Sequence, residues 1–247
     1  SYCFSEDSTL AAYRAVDRDE PILLFQEGDH AVYWLGIVED SAFRCNVYLL
    51  VDGDDALLVD PGGAASFATV REQVEKLLPV DRIKGLIISH QDPDVAASIS
   101  DWLQLNPQLQ IFASPRVHVL LPYYQAVSYR AVDIEQLPRY AFFSGRELHF
   151  IPAPFLHSPG AFATYDRTSG FLFSSDIWAG LDTEQRLVVD DFNAYRANMD
   201  LFCKDYMASR RAARGFLGRL TAYAIKAVLP QHGRLIPKQL VAAAHDY

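Results

Sequence analysis

The tightest constraint on this 247-residue chain is a pattern of apolar runs joined first by short turns and then by helices, and it occurs twice. Apolar runs at 31–37, 44–51 and 56–60 are joined by turn-forming stretches such as Asp52-Gly-Asp-Asp55, and links that short impose antiparallel pairing. Then the apolar spacing of 64–78 is helical, 83–89 is a buried strand, and 94–105 is a helix that stops before Pro107. A strand at 110–113 and a helix started by Pro115 close the first set. The second set has strands at 147–153, 162–165 and 170–175, a helical stretch over 192–224, a strand at 225–229 and a terminal helix from Pro237. Hairpins followed by strand–helix units, in two sets, predict two packed sheets with helices outside. No linker, low-complexity tract or repeat divides the chain, so residues 1–247 are expected to form one domain.

Composition removes several classes of function. Half the residues are apolar, but no uninterrupted apolar run is long enough to cross a bilayer and there is no signal-peptide layout, so a soluble, cytoplasmic protein is expected. The net charge of −9 argues against a protein that grips phosphate backbones, and no nucleic-acid partner is expected. Arg210, Arg211, Arg214 and Arg219 have helical spacing and read as a solvated helix face. Cys3, Cys45 and Cys203 are far apart and in no CxxC pair, which predicts neither a disulfide framework nor a thiolate metal site.

Acids and histidines collect at predicted strand exits. His90, Asp92 and Asp94 alternate after the strand 83–89, His157 follows 147–153, Asp176 ends 170–175, and His232 follows 225–229. Such loops are where a rigid scaffold converges ligands on one point. Three imidazoles and three carboxylates make a nitrogen and oxygen donor set suited to iron, manganese or zinc, with enough donors for two adjacent ions. Taken alone, the HxDxD stretch also reads as a polar loop capping the helix that starts near Asp94, because Asp is a favoured N-cap. His30, His118, His149 and His245 lack acidic company at ligand spacing and read as surface or satisfied core histidines.

At these residues the chain resembles the metallo-β-lactamase superfamily, and within it the di-iron domain of the flavodiiron proteins. Their pattern is His-x-Glu-x-Asp-His, a distant His, an Asp after eighteen residues, and a His closing the last core strand. Here His90-x-Asp92-x-Asp94 is followed by His157, eighteen residues lie between His157 and Asp176, and His232 closes the set. Asp60-Pro-Gly-Gly63 resembles a turn of the superfamily, and Tyr195-Arg-Ala-Asn198 resembles part of a flavodiiron helix. Asp92 stands where Glu is usual, and Val95 where the motif has its last His. The resemblance implies an αββα sandwich with two iron ions, zinc or manganese being the alternatives. One ion would be held by His90, Asp92 and His157, the other by Asp94 and His232, with Asp176 bridging and one ligand lost at Val95.

The resemblance extends to the stand-alone oxygen-binding di-iron proteins of bacterial signalling and chemotaxis. It implies that dioxygen is the ligand, that no FMN is bound because no Gly-rich phosphate loop is present, and that the chain is a homodimer acting on a signalling partner. A di-metal hydrolase with Asp94 as proton acceptor, and an oxygen or nitric oxide reductase fed by a separate flavoprotein, are the alternatives. Phe155, Phe162, Tyr165 and Trp178 lie near the ligands in sequence and read as core packing, with an apolar wall around the ions as the second reading.

Overall fold

The computed structural model describes residues 20–36, 41–184 and 186–247. The first sheet has seven strands in sequence order: β1 (Ile22–Glu27), β2 (His30–Trp34), β3 (Tyr48–Asp52), β4 (Asp55–Val59), β5 (Ile83–Ile87), β6 (Gln110–Ala113) and β7 (Arg130–Asp133). Strands β1 to β4 pair antiparallel through tight turns, whereas β4 to β7 are parallel and joined by crossovers carrying α1 (Phe67–Glu75), α2 (Pro93–Ala96), α3 (Ile99–Leu105) and α4 (Pro115–His118). The second sheet contains β8 (Arg139–Ala141), β9 (Glu147–Pro152), β10 (Phe162–Asp166), β11 (Phe171–Ser175), β12 (Ala227–Pro230) and β13 (Ile236–Pro237), in the spatial order β13-β12-β11-β10-β9-β8. Helices α5 (Phe192–Tyr206), α6 (Arg210–Leu220) and α7 (Val241–Asp246) belong to this half.

Side-chain alternation sorts the sheets into layers. On β4, Leu57 and Val59 enter the core between the sheets, with Phe150, Phe162, Phe171 and Phe173 of the second sheet, while Ala56 and Leu58 pack with the helix residues Val70, Ile99 and Trp102. Leu172 and Val228 likewise join Phe192, Met199 and Phe216 on the outer face of the second sheet. The result is the expected αββα sandwich of two mixed sheets. Among the described residues no helix is long and apolar enough to cross a membrane.

Several boundaries differ from the sequence reading, each for a physical reason. Strands β7 and β8 carry mostly exposed or half-buried residues and so give no apolar alternation to read. The segment expected to begin a strand at Arg44 pairs with the other half instead: Cys45 bridges to His232, and the Asn46 amide donates to the Gln231 carbonyl at 2.6 Å. The helical stretch 192–224 is broken where Met207 and Ser209 are extended, and Ser209 caps the restarted helix by accepting from Ala212 N–H at 3.2 Å. The arginines at 210, 211, 214 and 219 are exposed, as expected. Ile37, the end of the first predicted strand, and Cys3 lie outside the described residues.

Among the described residues, four of the five non-glycine residues with positive φ cluster around one end of the sandwich: Asp60 (52°), Phe155 (66°), Ser175 (57°) and Trp178 (62°). Strain of this kind persists only where the surroundings over-determine it, and it concentrates at functional sites. At the same end, Gly233 has φ 80° immediately after His232, and a Cβ there would lie 2.6 Å from the Gly180 carbonyl oxygen.

The sheets are also tied across the core by a buried ion cluster. His30 Nδ1 is 3.1 Å from Asp52 Oδ1 and its Nε2 is 2.9 Å from Asp166 Oδ2, which makes His30 the satisfied core histidine that the sequence suggests. Burial disfavours the imidazolium, but Asp166 and Asp52 outweigh it and the ring's pKa is raised. Breaking such a pair strands a buried carboxylate, so His30→Ala is expected to lower the unfolding free energy by about 3–5 kcal/mol. Because the folded value is raised, the charge-dependent part of that difference is fully present below the ordinary value of 6.5 and declines as pH rises through the folded value. Chemical denaturation of both proteins across that window checks this; a difference that grows with pH contradicts it.

Candidate metal centre

Parallel pairing at the centre of each sheet brings the predicted site residues together. Strands β4 and β5 run parallel and lead into Asp60 and His90; β11 and β12 run parallel and lead into Asp176 and His232. The sheets join here, because the Phe162 amide donates to the Ser89 carbonyl at 3.2 Å, while the Gln231 amide donates to the Ser175 carbonyl at 2.7 Å and extends the β11–β12 pairing to the site. Asp60 Oδ1 accepts from the Ser89 amide at 2.8 Å and so fixes the residue before His90. Burial pushes that carboxyl up to about 6.

All six predicted ligands lie within this end of the fold. His90 Nε2 and His157 Nε2 are 3.3 and 3.0 Å from Asp176 Oδ2, while His232 Nε2 is 3.8 Å from the other oxygen, Oδ1. Asp92 Oδ2 is 3.2 Å from His157 Nε2 and 3.8 Å from His90 Nε2, and Asp94 Oδ2 is 3.1 Å from His232 Nε2. Asp176 therefore gives one oxygen to the His90 and His157 side and the other to the His232 side. His90, His157 and Asp176 stand at metal-ligand separations, as do His90, Asp92 and Asp94.

The rings are held from behind. His232 Nδ1 faces the Arg44 carbonyl at 3.2 Å, and a carbonyl only accepts, so Nδ1 carries a proton and Nε2 is the nitrogen turned into the site. His90 Nδ1 pairs with Ser175 Oγ at 3.0 Å. Asp92 is the N-cap residue of α2, yet its side chain makes no capping hydrogen bond, which sets aside the reading of HxDxD as a helix cap. Its Oδ1 instead accepts from Gln91 Nε2 at 2.9 Å, and Gln91 Oε1 accepts from Ser158 Oγ at 2.6 Å. No motif singles out Gln91, Ser158, Ser175 or Asp60 as a site residue, because each acts on a ligand or on a residue beside one rather than being a ligand.

The donor chemistry fits iron. Asp176 is 2% exposed and its Oδ1 has no hydrogen-bond partner among the described residues, an arrangement that a cation would satisfy. Hydrogen bonds to Asp176 and Asp92 lift the His157 ring to about 10. At Asp94, burial opposes ionisation, but His232 outweighs it and lowers the carboxyl to about 2.

Two expectations about the surroundings change. Val95 is fully buried in the apolar layer between the first sheet and its helices, with Val47, Ala96 and Ile99. The side chain that comes close to Asp94 and His232 is Cys45, against the expectation of a site without thiol. Phe162 lies in the core between the sheets, Tyr165 and Trp178 in the outer layer, and Phe155 is 54% exposed, so three of the four aromatics serve as packing. The cover over the histidines comes from Phe43, whose ring is 4.4 Å from that of His232, from Phe202 at 5.4 Å from His232, and from Tyr206 at 5.7 Å from His157. These three rings also contact one another.

Comparison with known proteins places this arrangement in a family. Residues 43–233 match the family described as ODP family beta lactamase, and the chain belongs to it. Two solved structures of a chemotaxis sensor ODP, the apo state from T. denticola and a peroxy diiron species, are 31% identical with TM-scores of 0.82 and 0.80. Each alignment covers 92% of this chain, and 92% and 93% of those chains. The flavodiiron protein from Giardia intestinalis, at 21% identity and TM-score 0.78 over 87% of this chain and 56% of its own, shares the fold. A putative diflavin flavoprotein A 1 from Nostoc sp. (strain PCC 7120) is 27% identical over 76% of this chain and 33% of its own length. The chain spans a fifth to a third of the length of the first such relatives, 33%, 22% and 34%.

A metal entering the group around His157 must displace the proton held there, because a bound imidazole is neutral. Anaerobic iron(II) titration in weak buffer with a pH indicator is therefore expected to release protons at pH 7, with affinity that weakens as pH falls. Binding without proton release would contradict the lifted His157.

Proposed function

We propose that this ODP-family chain holds two iron ions and uses them to bind dioxygen, acting as an oxygen sensor or carrier in signalling. The observation that carries the reading is the division of Asp176, whose Oδ2 faces His90 and His157 while Oδ1 faces His232. On this reading His90, Asp92 and His157 would hold one ion, Asp94 and His232 the other, and Asp176 would serve both. A ferrous pair supplies the electrons that dioxygen needs in order to be held.

The protein's own residues govern access and protons. Phe43, Phe202 and Tyr206 cover His232 and His157 with aromatic surface, which restricts water at the ligands. Ser175 and the Arg44 carbonyl keep the rings of His90 and His232 aimed inward. A pocket of about 550 Å3 reaches Asp176 from the side of α5 and α6, lined by Leu156, Trp178, Met199, Phe202 and Phe216, and offers a small apolar gas a route. The chemotaxis sensor among the neighbours supports a signalling role; a homodimer, a partner protein and the absence of a bound flavin are further parts of the proposal.

Stopped-flow mixing of the iron(II)-loaded protein with oxygenated buffer tests the reading. A visible absorption that persists, with oxygen uptake close to one molecule per chain, is expected. Rapid bleaching with sustained uptake under added reductant would show a reductase, and no optical response would leave a hydrolase. The division of ligands predicts a second result: Asp94→Ala retains about one iron per chain, whereas Asp176→Ala loses both, by metal analysis after desalting.

A further inference from the structure

We infer that Cys45 is a protein ligand of the ion held by Asp94 and His232, giving that half of the centre one sulfur donor. The inference rests on the two-cation reading and deepens it. Cys45 Sγ lies 3.8 Å from Asp94 Oδ2, and Cys45, Asp94 and His232 each offer a ligand atom within 4.8 Å of the others; the ring nitrogen of His232 at 4.0 Å from Sγ is Nδ1, so Sγ stands beside the ring whose Nε2 faces Asp94. Bonds of about 2.3 Å to sulfur and about 2.0–2.2 Å to nitrogen or oxygen set neighbouring donors of a tetrahedral site roughly 3.4–3.6 Å apart. The observed separations of 3.8 Å for sulfur to Asp94 and 3.1 Å for Asp94 to His232 Nε2 bracket that range.

Two further observations point at the same ion. Asp176 Oδ1, buried and without a hydrogen-bond partner, faces this half from 3.8 Å beyond His232 Nε2. Gln231 Nε2 donates to both Asp94 Oδ2 at 3.3 Å and Cys45 Sγ at 3.6 Å, treating the two as neighbouring acceptors. The count of donors agrees. His90, His157, Asp92 and Asp176 provide four residues on one side, whereas Asp94, His232 and Asp176 provide three on the other, because position 95 is a valine buried in the apolar layer.

The backbone holds Cys45 in place for this role. Cys45 pairs with His232 as an isolated antiparallel bridge. The adjacent Asn46 side chain donates to the carbonyls of Pro230 and Gly233, both at 2.9 Å, and accepts from Trp34 Nε1 at 2.9 Å. A ligand fixed this way loses little freedom on binding. As the metal–sulfur bond forms, the S–H bond breaks and its proton leaves to solvent, with no change of oxidation state.

The test is anaerobic titration of the protein with cobalt(II). Wild type is expected to bind two equivalents and to develop a near-ultraviolet thiolate-to-cobalt band with one of them. Cys45→Ser should abolish that band, keep the visible bands of bound cobalt, and weaken one equivalent by at least about tenfold, the scale on which even outer-shell partners act. Cys203→Ser should keep the band. Sulfur scattering at the cobalt X-ray absorption edge of wild type decides the point without any variant. Two bound cobalts with no sulfur signal, or a band that survives Cys45→Ser, would overturn the sulfur ligand while leaving the two-cation reading in place. Wild type that binds fewer than two equivalents would overturn both.

Discussion

The structure is organised around one buried carboxylate that nothing among the described residues fully satisfies. Asp176 turns Oδ2 toward two histidines and Oδ1 toward a third, and Oδ1 has no hydrogen-bond partner. An isolated carboxylate taken out of water costs several kcal/mol even after relaxation, so the surroundings must return that energy as positive charge. His90, His157 and His232 do so when protonated, and lower its pKa against the effect of burial. Cations do so more strongly, and two of them use both oxygens.

The rest of the fold delivers that carboxylate and its partners to one place. Each sheet contributes an adjacent parallel pair, β4 with β5 and β11 with β12, whose ends project Asp60 and His90 from one side and Asp176 and His232 from the other. Positive-φ residues at 60, 155, 175 and 178 turn the chain sharply as it leaves the strands. The buried His30 cluster ties the two sheets through the core, so the relative placement of the two pairs is fixed by packing and charge together.

Much of this was legible in the sequence; β1 was missed although its apolar run at 22–25 is local, and most of the other failures share a cause. The strands that flank ligands are long apolar runs, and the ligands themselves are ionisable groups at strand exits, so both leave local signals. Residues that act across the fold leave none. Cys45 is 187 residues from His232 and is brought to it by a bridge that interrupts an otherwise strand-like run. Phe43, Phe202 and Tyr206 come from two distant segments, whereas the aromatics close to the ligands in sequence, such as Phe162 and Trp178, pack elsewhere. Val95 shows the same limit: its alignment with a ligand position is local, and its burial beside Ile99 is decided by the helix it enters. The edge strands β7 and β8 were missed because exposure removes the apolar period from which strands are read.

The central claim is that one chain holds two ions on opposite oxygens of Asp176. A crystal structure of the iron-loaded protein, with anomalous difference maps collected on both sides of the iron absorption edge, tests it most directly. The account predicts two iron peaks, one among His90, Asp92 and His157 and one beside Asp94 and His232, with Asp176 between them. A single peak, or two peaks that do not share Asp176, would contradict it.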